Sequence, residues 1–178
     1  VPYGPWDYTN PDHQQKLITV NENHFAPEVE NLTKGQSSYI GGDLAYVLRA
    51  SPNHHRALQS MANLAVKEKT QKPEGSEYTV ECWFDRAMRF KPNDGMVRLV
   101  YGVHLNRIGK VDKALEQFVE ADRLQPDNAN INYNLGLLYF KKKEYEKART
   151  HAKKAYSLGF PLPGLKDMLV KAGQWNEK

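Results

Sequence analysis

Small and apolar residues in the second half of the chain recur with an offset of 34: Gly102 returns as Gly136, Ala114 as Ala148 and Ala121 as Ala155. Residues 95–128 and 129–162 therefore share one layout. A period of this length with small residues at fixed places predicts a helix–turn–helix unit. Each such unit leaves an apolar face open until a neighbour stacks on it, so the pattern predicts an all-α solenoid. Stacked helix pairs form a groove for another chain rather than a catalytic pocket.

The same markers continue upstream. Trp83-Phe84, Ala87 and Pro92 fall on Phe118, Ala121 and Pro126 after subtracting 34. They predict a second helix of a hairpin over about 76–91. Its first helix is expected over Pro52 to Lys67, capped by Ser51 with Pro in the first turn. There Leu58, Met61, Ala62, Ala65 and Val66 make an apolar stripe at helical spacing. Further back, Leu44 to Ala50 reads as a lone second helix. Before it come a helix opened by Asn10-Pro11-Asp12 and running to about Asn21, a short helix from Pro27 to Thr33 ended by Gly35, and a polar link over Gln36 to Gly42. At the other end, Pro163 to Gly173 predicts a capping helix with Leu165, Met168 and Leu169 inward and Lys166, Asp167 and Lys171 outward. The division expected is a 1–41 extension with short helices, repeats over 42–162 that are clearest at 95–162, and a capping helix with tail over 163–178.

In detail the first segment gives Tyr101-Gly102, Leu105, Gly109, Ala114, Phe118, Ala121 and Pro126. The second gives Leu135-Gly136, Tyr139, Tyr145, Ala148, Ala152, Ala155 and Pro161. This pattern resembles the tetratricopeptide repeat (TPR) family. Gly102 and Ala114 are small where helices cross closely, and Pro126 cannot continue the helix it follows. The second unit departs from the pattern, with Ala152 in the place of Phe118 and its Pro one position late, as suits a terminal repeat. Against the family's tight turn, the join Lys69 to Ser76 is longer by about six residues. The resemblance implies a right-handed helical-hairpin solenoid of about three units, with an N-terminal helical extension and a C-terminal capping helix.

The resemblance also implies a function: a non-enzymatic adaptor or assembly factor that holds a peptide or partner protein in a concave groove. Family positions 2, 5, 9, 12 and 13 of each first helix line that groove. They map to Arg56, Asn63 and Lys67, with Gln59 and Val66, in the interrupted unit. The next unit supplies Met96, Leu99, Val103, Asn106 and Arg107. The last supplies Asn130, Tyr133, Leu137, Phe140 and Lys141, with Asn134 beside them. Asn amides both donate to and accept from a ligand backbone, and Arg and Lys favour acidic groups. The implied partner has apolar anchors and some acidic character. A carboxylate clamp for chaperone C-termini is largely absent, since Gln59, Val100, Asn130 and Asn134 stand where its key residues belong.

Three competing readings remain open. The forty residues before the solenoid need somewhere to pack and would cover Met96, Leu99 and Val103. The apolar face would instead pair with another copy, making a structural subunit of an oligomer or complex. A small-ligand or cofactor binder would use the aromatic N-terminus, Tyr3, Trp6 and Tyr8.

Composition narrows the chemistry. A chain of 178 residues with net charge +4 suits a soluble domain of ordinary core size, and no apolar run is long enough to span a membrane. The basic residues Lys141-Lys142-Lys143 and Arg149 to Lys154 alternate with Glu144 and Glu146 and read as a solvated face, not a nucleic-acid surface. Cys82 is the sole cysteine and reads as a packed small hydrophobe. The adjacent His54 and His55 point about 100° apart on a helix and cannot easily share a metal. They are expected at a helix start, in surface or capping roles. No metal, phosphate-loop or nucleophile motif occurs, so neither cofactor nor enzymatic activity is expected. The chain opens on Val1, and Tyr3 to Pro11 is polar, aromatic and turn-rich. That opening is similar to small exported repeat proteins of Gram-negative bacteria, which implies a periplasmic or secreted protein, with the cytoplasm as the alternative.

Overall fold

The computed structural model describes residues 4–177, so Val1 and Tyr3 lie outside the described residues. All regular structure among these residues is helical. The order is α1 (Pro11–His24), α2 (Pro27–Glu30), α3 (Ile40–Ala50), α4 (His55–Glu68), α5 (Val80–Phe90), α6 (Gly95–Arg107), α7 (Val111–Leu124), α8 (Ala129–Lys141), α9 (Tyr145–Ser157) and α10 (Gly164–Lys171). No helix of the described residues is long and apolar enough to cross a membrane. The chain divides into two compact units, with the division inside α6 between Val100 and Tyr101.

In the first unit α1 packs on α3, α3 on α4 and α4 on α5, while the single turn of α2 rests on α3 and α4. Leu17, Val20, Val29, Leu44, Leu48, Leu58, Met61, Trp83 and Phe84 are buried here. The long join before α5 is packed, not loose. Pro73 and Ser76 are buried, and the Gln71 carbonyl accepts from the Val80 amide at 2.9 Å. It comes so close to α3 that a Cβ on Gly41 would stand 2.2 Å from the Glu74 carbonyl oxygen. This approach explains Gly41, because only glycine leaves room there, while a Cβ on Gly42 would meet the Ser38 hydroxyl at 2.3 Å.

In the second unit α7 and α9 flank α8, and α10 closes on α8 and α9. The alanines at the recurring positions, Ala114, Ala121, Ala148, Ala152 and Ala155, are fully buried. They let helix axes approach while Phe118, Ile131, Leu135 and Leu138 fill the space between them. Leu165 and Leu169 of α10 point inward as the stripe predicts, but Met168 is 38% exposed. The buried line of α10 runs through Leu165 and Leu169, and Met168 lies to one side of it.

The start of α4 differs from the sequence expectation. Ser51 does not cap it: its amide bonds to the Val47 carbonyl at 2.8 Å, and so it closes α3 instead. His54 is the cap, its Nδ1 accepting from the Ala57 amide at 3.1 Å. One register later Asp94 Oδ1 accepts from Val97 at 3.4 Å, and after another 34 residues Asn128 Oδ1 accepts from Ile131 at 3.1 Å. Each cap follows a Pro-x pair, so one local signal starts α4, α6 and α8.

Candidate functional site

On α4 the residues expected to line a groove are already engaged by the chain itself. Arg56 makes a two-pronged ion pair with Glu30, its Nε donating to Oε1 at 2.7 Å and its Nη2 to Oε2. Its guanidinium lies 5.7 Å over the Phe25 ring. One turn on, the Ser60 hydroxyl donates to the Glu30 carbonyl at 3.0 Å, and Lys67 Nζ donates to the Leu32 carbonyl at 2.6 Å. Phe25, Val29 and Leu32 are buried. Asn63 is half-buried and accepts from Gln59 Nε2 at 3.0 Å. Segment 25–32 thus lies on this face as an acidic, apolar, single-turn ligand held in cis. At the following register, Met96 is half-buried and Leu99 is buried.

Among the described residues, the second unit presents the corresponding register of α8 without such a cover along its full length. Asn130, Tyr133, Asn134, Leu137, Phe140 and Lys141 form one stripe of α8, and none of them is buried. Ile131, Leu135, Leu138 and Tyr139 turn the other way into the core. Val103 and Asn106 of α6 are half-buried and Arg107 is exposed. Lys141 Nζ donates to Asn106 Oδ1 at 3.3 Å, joining the two helices' polar groups. Asn134 Nδ2 donates to the Asn130 carbonyl at 2.8 Å. One end of the stripe is closed: Tyr133 stacks on Phe160 with centroids 3.9 Å apart and meets Tyr156 edge-on at 6.4 Å. Phe140 meets Tyr145 edge-on at 5.4 Å. Lys67, Arg107 and Lys141 share one register at the C-terminal end of their helices, where the helix dipole favours a cation.

Sequence reasoning missed a buried polar cluster in the first unit. Asn53, fully buried, donates from Nδ2 to Asp7 Oδ1 at 2.8 Å and to Asp94 Oδ2 at 3.0 Å. Its Oδ1 accepts from the Tyr8 amide at 3.0 Å. His55 Nε2 reaches Asp94 Oδ2 at 2.7 Å, and Lys91 pairs with Asp7. Burial would raise the Asp7 pKa, but hydrogen bonds from Lys91, Asn53 and Thr9 outweigh it and hold the carboxyl well below the usual range. Tyr8 packs on His54 and His55, and Trp6 meets His13 edge-on. Trp6 and Tyr8 are therefore packed into the first unit, Tyr8 against the turn that starts α4. Burial, with His55 and Arg56 nearby, pushes the His54 pKa down to about 3. A neutral ring follows: Nδ1 accepts from Ala57 while Nε2 donates to Asn21 Oδ1 at 3.2 Å. The recurring Pro-x-cap signal marks His54 and Asp94 in the sequence, but nothing local connects either to Asp7.

A second histidine cluster has the members of a hydrolase triad and the wrong geometry. Buried Asp43 contacts His24 Nδ1 at 2.9 Å, and the Ser37 hydroxyl reaches the same Nδ1 at 3.2 Å while donating to Asp43. A catalytic serine needs the ring nitrogen opposite the carboxylate. Here serine and carboxylate share one nitrogen, so the cluster ties the 36–38 link to α1 and α3. Burial would raise the Asp43 pKa, but the Ser37 hydroxyl, His24 and the Gln36 and Ser37 amides lower it overall. Among the described residues no group of three or more His, Cys, Asp or Glu is placed to hold a metal ion. Cys82 is a half-buried free thiol.

The geometry of unit two, with small residues at a 34-residue register and capped hairpins, meets a direct sequence match. A TPR repeat family model matches residues 105–143, and a tetratricopeptide repeat model matches residues 129–159. The chain contains tetratricopeptide repeats. Solved structures carry the likeness further along the chain. The pilF protein of Pseudomonas aeruginosa is 20% identical, over 74% of this chain and 60% of that one, with a TM-score of 0.56. YrrB, described as a TPR protein with an unusual peptide-binding site, is 22% identical, over 76% of this chain and 65% of that one, with a TM-score of 0.51. These likenesses are of fold, and this chain spans less than two thirds of either neighbour's length. No curated protein matches it.

Proposed function

We propose that this TPR protein is a non-enzymatic adaptor that grips a partner segment on the exposed stripe of its second unit. TPR repeats are protein-interaction modules, and the finer reading rests on one observation. On α4 the groove register already holds a segment, and the way it does so states the chemistry. Arg56 takes a carboxylate, Ser60 and Lys67 take backbone carbonyls, and apolar side chains fill the space between. Arg107 and Lys141 stand at the register of Lys67, with Asn130, Asn134 and Leu137 along the same face of α8. They suit a partner segment of the same kind, short, with apolar anchors and an acidic group. In this reading the protein works in the bacterial envelope, supported by the similarity of its opening to exported repeat proteins; fractionation of the host cell tests that placement.

The binding test is a photo-crosslinker at position 137, compared with one at Val119, which is exposed on α7. A partner trapped from 137 and not from 119, and lost on Lys141→Glu, supports the reading. Equal trapping from both positions moves the working surface off α8.

A further inference from the structure

The long join before α5 has a consequence away from the groove register. Ser76 in that join accepts from Trp83 Nε1 at 2.9 Å and donates to the Tyr78 carbonyl at 2.7 Å. The two aromatic rings it fixes meet edge-on at 4.9 Å. Together they form a platform under Arg86, whose Cζ lies 5.3 Å from the Tyr78 centroid and 5.5 Å from that of Trp83. Stacking of this kind holds a guanidinium in a fixed plane. Arg86 Nε is sealed from solvent and has no acceptor, and among the described residues no carboxylate pairs with it. A positive group so placed is a feature to explain, since buried donors in folded proteins almost always have partners.

Arg86 lines an open depression of about 480 Å³, together with Pro5, Arg49, Pro52, Arg89 and Phe90. Two of its three arginines have resident carboxylates: Arg49 pairs with Glu77 and Arg89 with Asp85. One positive charge is left unanswered, that of Arg86. The other walls are two prolines and a phenylalanine ring. Such a site matches one negative charge on an apolar body; a dianion or a fully polar ion uses the charge but not the walls. Pro5 is held in place because the Trp6 amide donates to the Ala50 carbonyl at 2.8 Å. The wall is therefore preformed, which lowers the cost of binding.

We propose that this depression between α3 and α5 binds a small monocarboxylate with an apolar body, its carboxylate on Arg86 and its body against Pro5, Pro52 and Phe90. The site shares no residue with the groove stripe.

The probe is 3-phenylpropionate, titrated into the full chain and followed by ¹H–¹⁵N NMR at the Arg86 Nε–H and the Trp83 indole. Saturable shifts of both are expected, with a Kd on the order of 1 mM for a ligand of this size. The neutral 3-phenylpropionamide is expected to leave them unmoved. Arg86→Lys, which keeps the charge but loses the planar fork, should weaken binding by about tenfold. Because that change also disturbs the stack, Arg89→Gln serves as a second variant. Arg89 is largely exposed, so this variant should keep the wild-type melting curve and still weaken binding severalfold. The proposal is overturned if acid and amide bind alike, if inorganic phosphate moves the same resonances at the same concentration, or if no shift appears by about 10 mM.

Discussion

Leu165 of the terminal helix stands beside Gly136 where, one repeat earlier, Phe118 stands beside Gly102. A Cβ on Gly136 would lie 2.5 Å from Leu165 Cδ2, and one on Gly102 would lie 2.4 Å from Phe118 Cε1. The last repeat lacks its own aromatic because Ala152 occupies that register. The capping helix supplies the missing volume. Leu165→Ala should therefore cost about 2–5 kcal/mol. Gly136→Ala alone should destabilise through the clash, and should cost less once Leu165 is Ala, when only the 3.3 Å approach to the Ala148 carbonyl oxygen is left to oppose the helix preference of alanine. Urea denaturation of the four-member cycle reads this coupling, and strict additivity would contradict it.

Lys143 ends the turn after α8 at φ 61°, at the register where the preceding repeat has Gly109 at φ 84°. A side chain in this left-handed region costs about 1 kcal/mol. Lys143 is exposed, so Lys143→Gly should raise stability by about that amount, measured as an increase in urea midpoint with unchanged slope.

Asn53→Ala removes the amide that bridges Asp7 and Asp94. The carboxylates lose donors inside the first unit, at an expected cost of about 3 kcal/mol. Hydrogen exchange should show the loss first at the Tyr8 amide, whose acceptor is Asn53 Oδ1. Protection there equal to wild type would show that the N-terminal segment is held by its stacking alone.

Stability should fall as pH drops below about 6.5, where unfolded histidine begins to bind a proton that folded His54 refuses until about pH 3. Between these values the unfolded state binds more protons, so each pH unit removes up to about 1.4 kcal/mol. His54→Asn keeps a capping acceptor and should make the profile shallower over that window, the remaining slope coming from His104 and His151, which burial also lowers. Loss below about pH 4 persists in the variant, because unfolded Asp7 and Asp43 then take up protons that the folded carboxylates, both lowered in the fold, refuse. Thermal melts from pH 4 to pH 7 distinguish the two proteins.

The hairpin repeats were legible because each rests on local rules that recur. Gly102 and Gly136, the alanines of α7 and α9, and the Pro-x-cap turns all lie at one spacing. Local rules failed where two of them compete for one residue. Ser51 is a good cap by type, but the backbone of α3 claims it first, and His54 takes the role. Met168 fits an inward stripe by spacing, but the buried line of α10 takes in only Leu165 and Leu169. The groove set was legible as a face: α8 turns its six named residues away from the core. That the leading residues would cover part of the face was legible as one reading, but it named Met96, Leu99 and Val103 and not the α4 positions that segment 25–32 occupies. Glu30 and Leu32 meet Arg56 and Lys67 through contacts some thirty residues apart, which no periodicity encodes. The Asp7, Asn53 and Asp94 cluster escaped for the same reason. So did the role of the 69–76 join, which presses on Gly41 and props the Trp83 ring.

Segment 25–32 is a competitor that cannot diffuse away. Tethered a few tens of residues from α4, it faces that helix at an effective concentration in the millimolar range. A free peptide of equal intrinsic affinity would have to be supplied at a similar concentration to displace half of it. The α4 face is thus reserved by proximity rather than by unusually strong contacts, and a rival that gains it must bring better chemistry than an exposed Arg56–Glu30 pair and two carbonyl bonds.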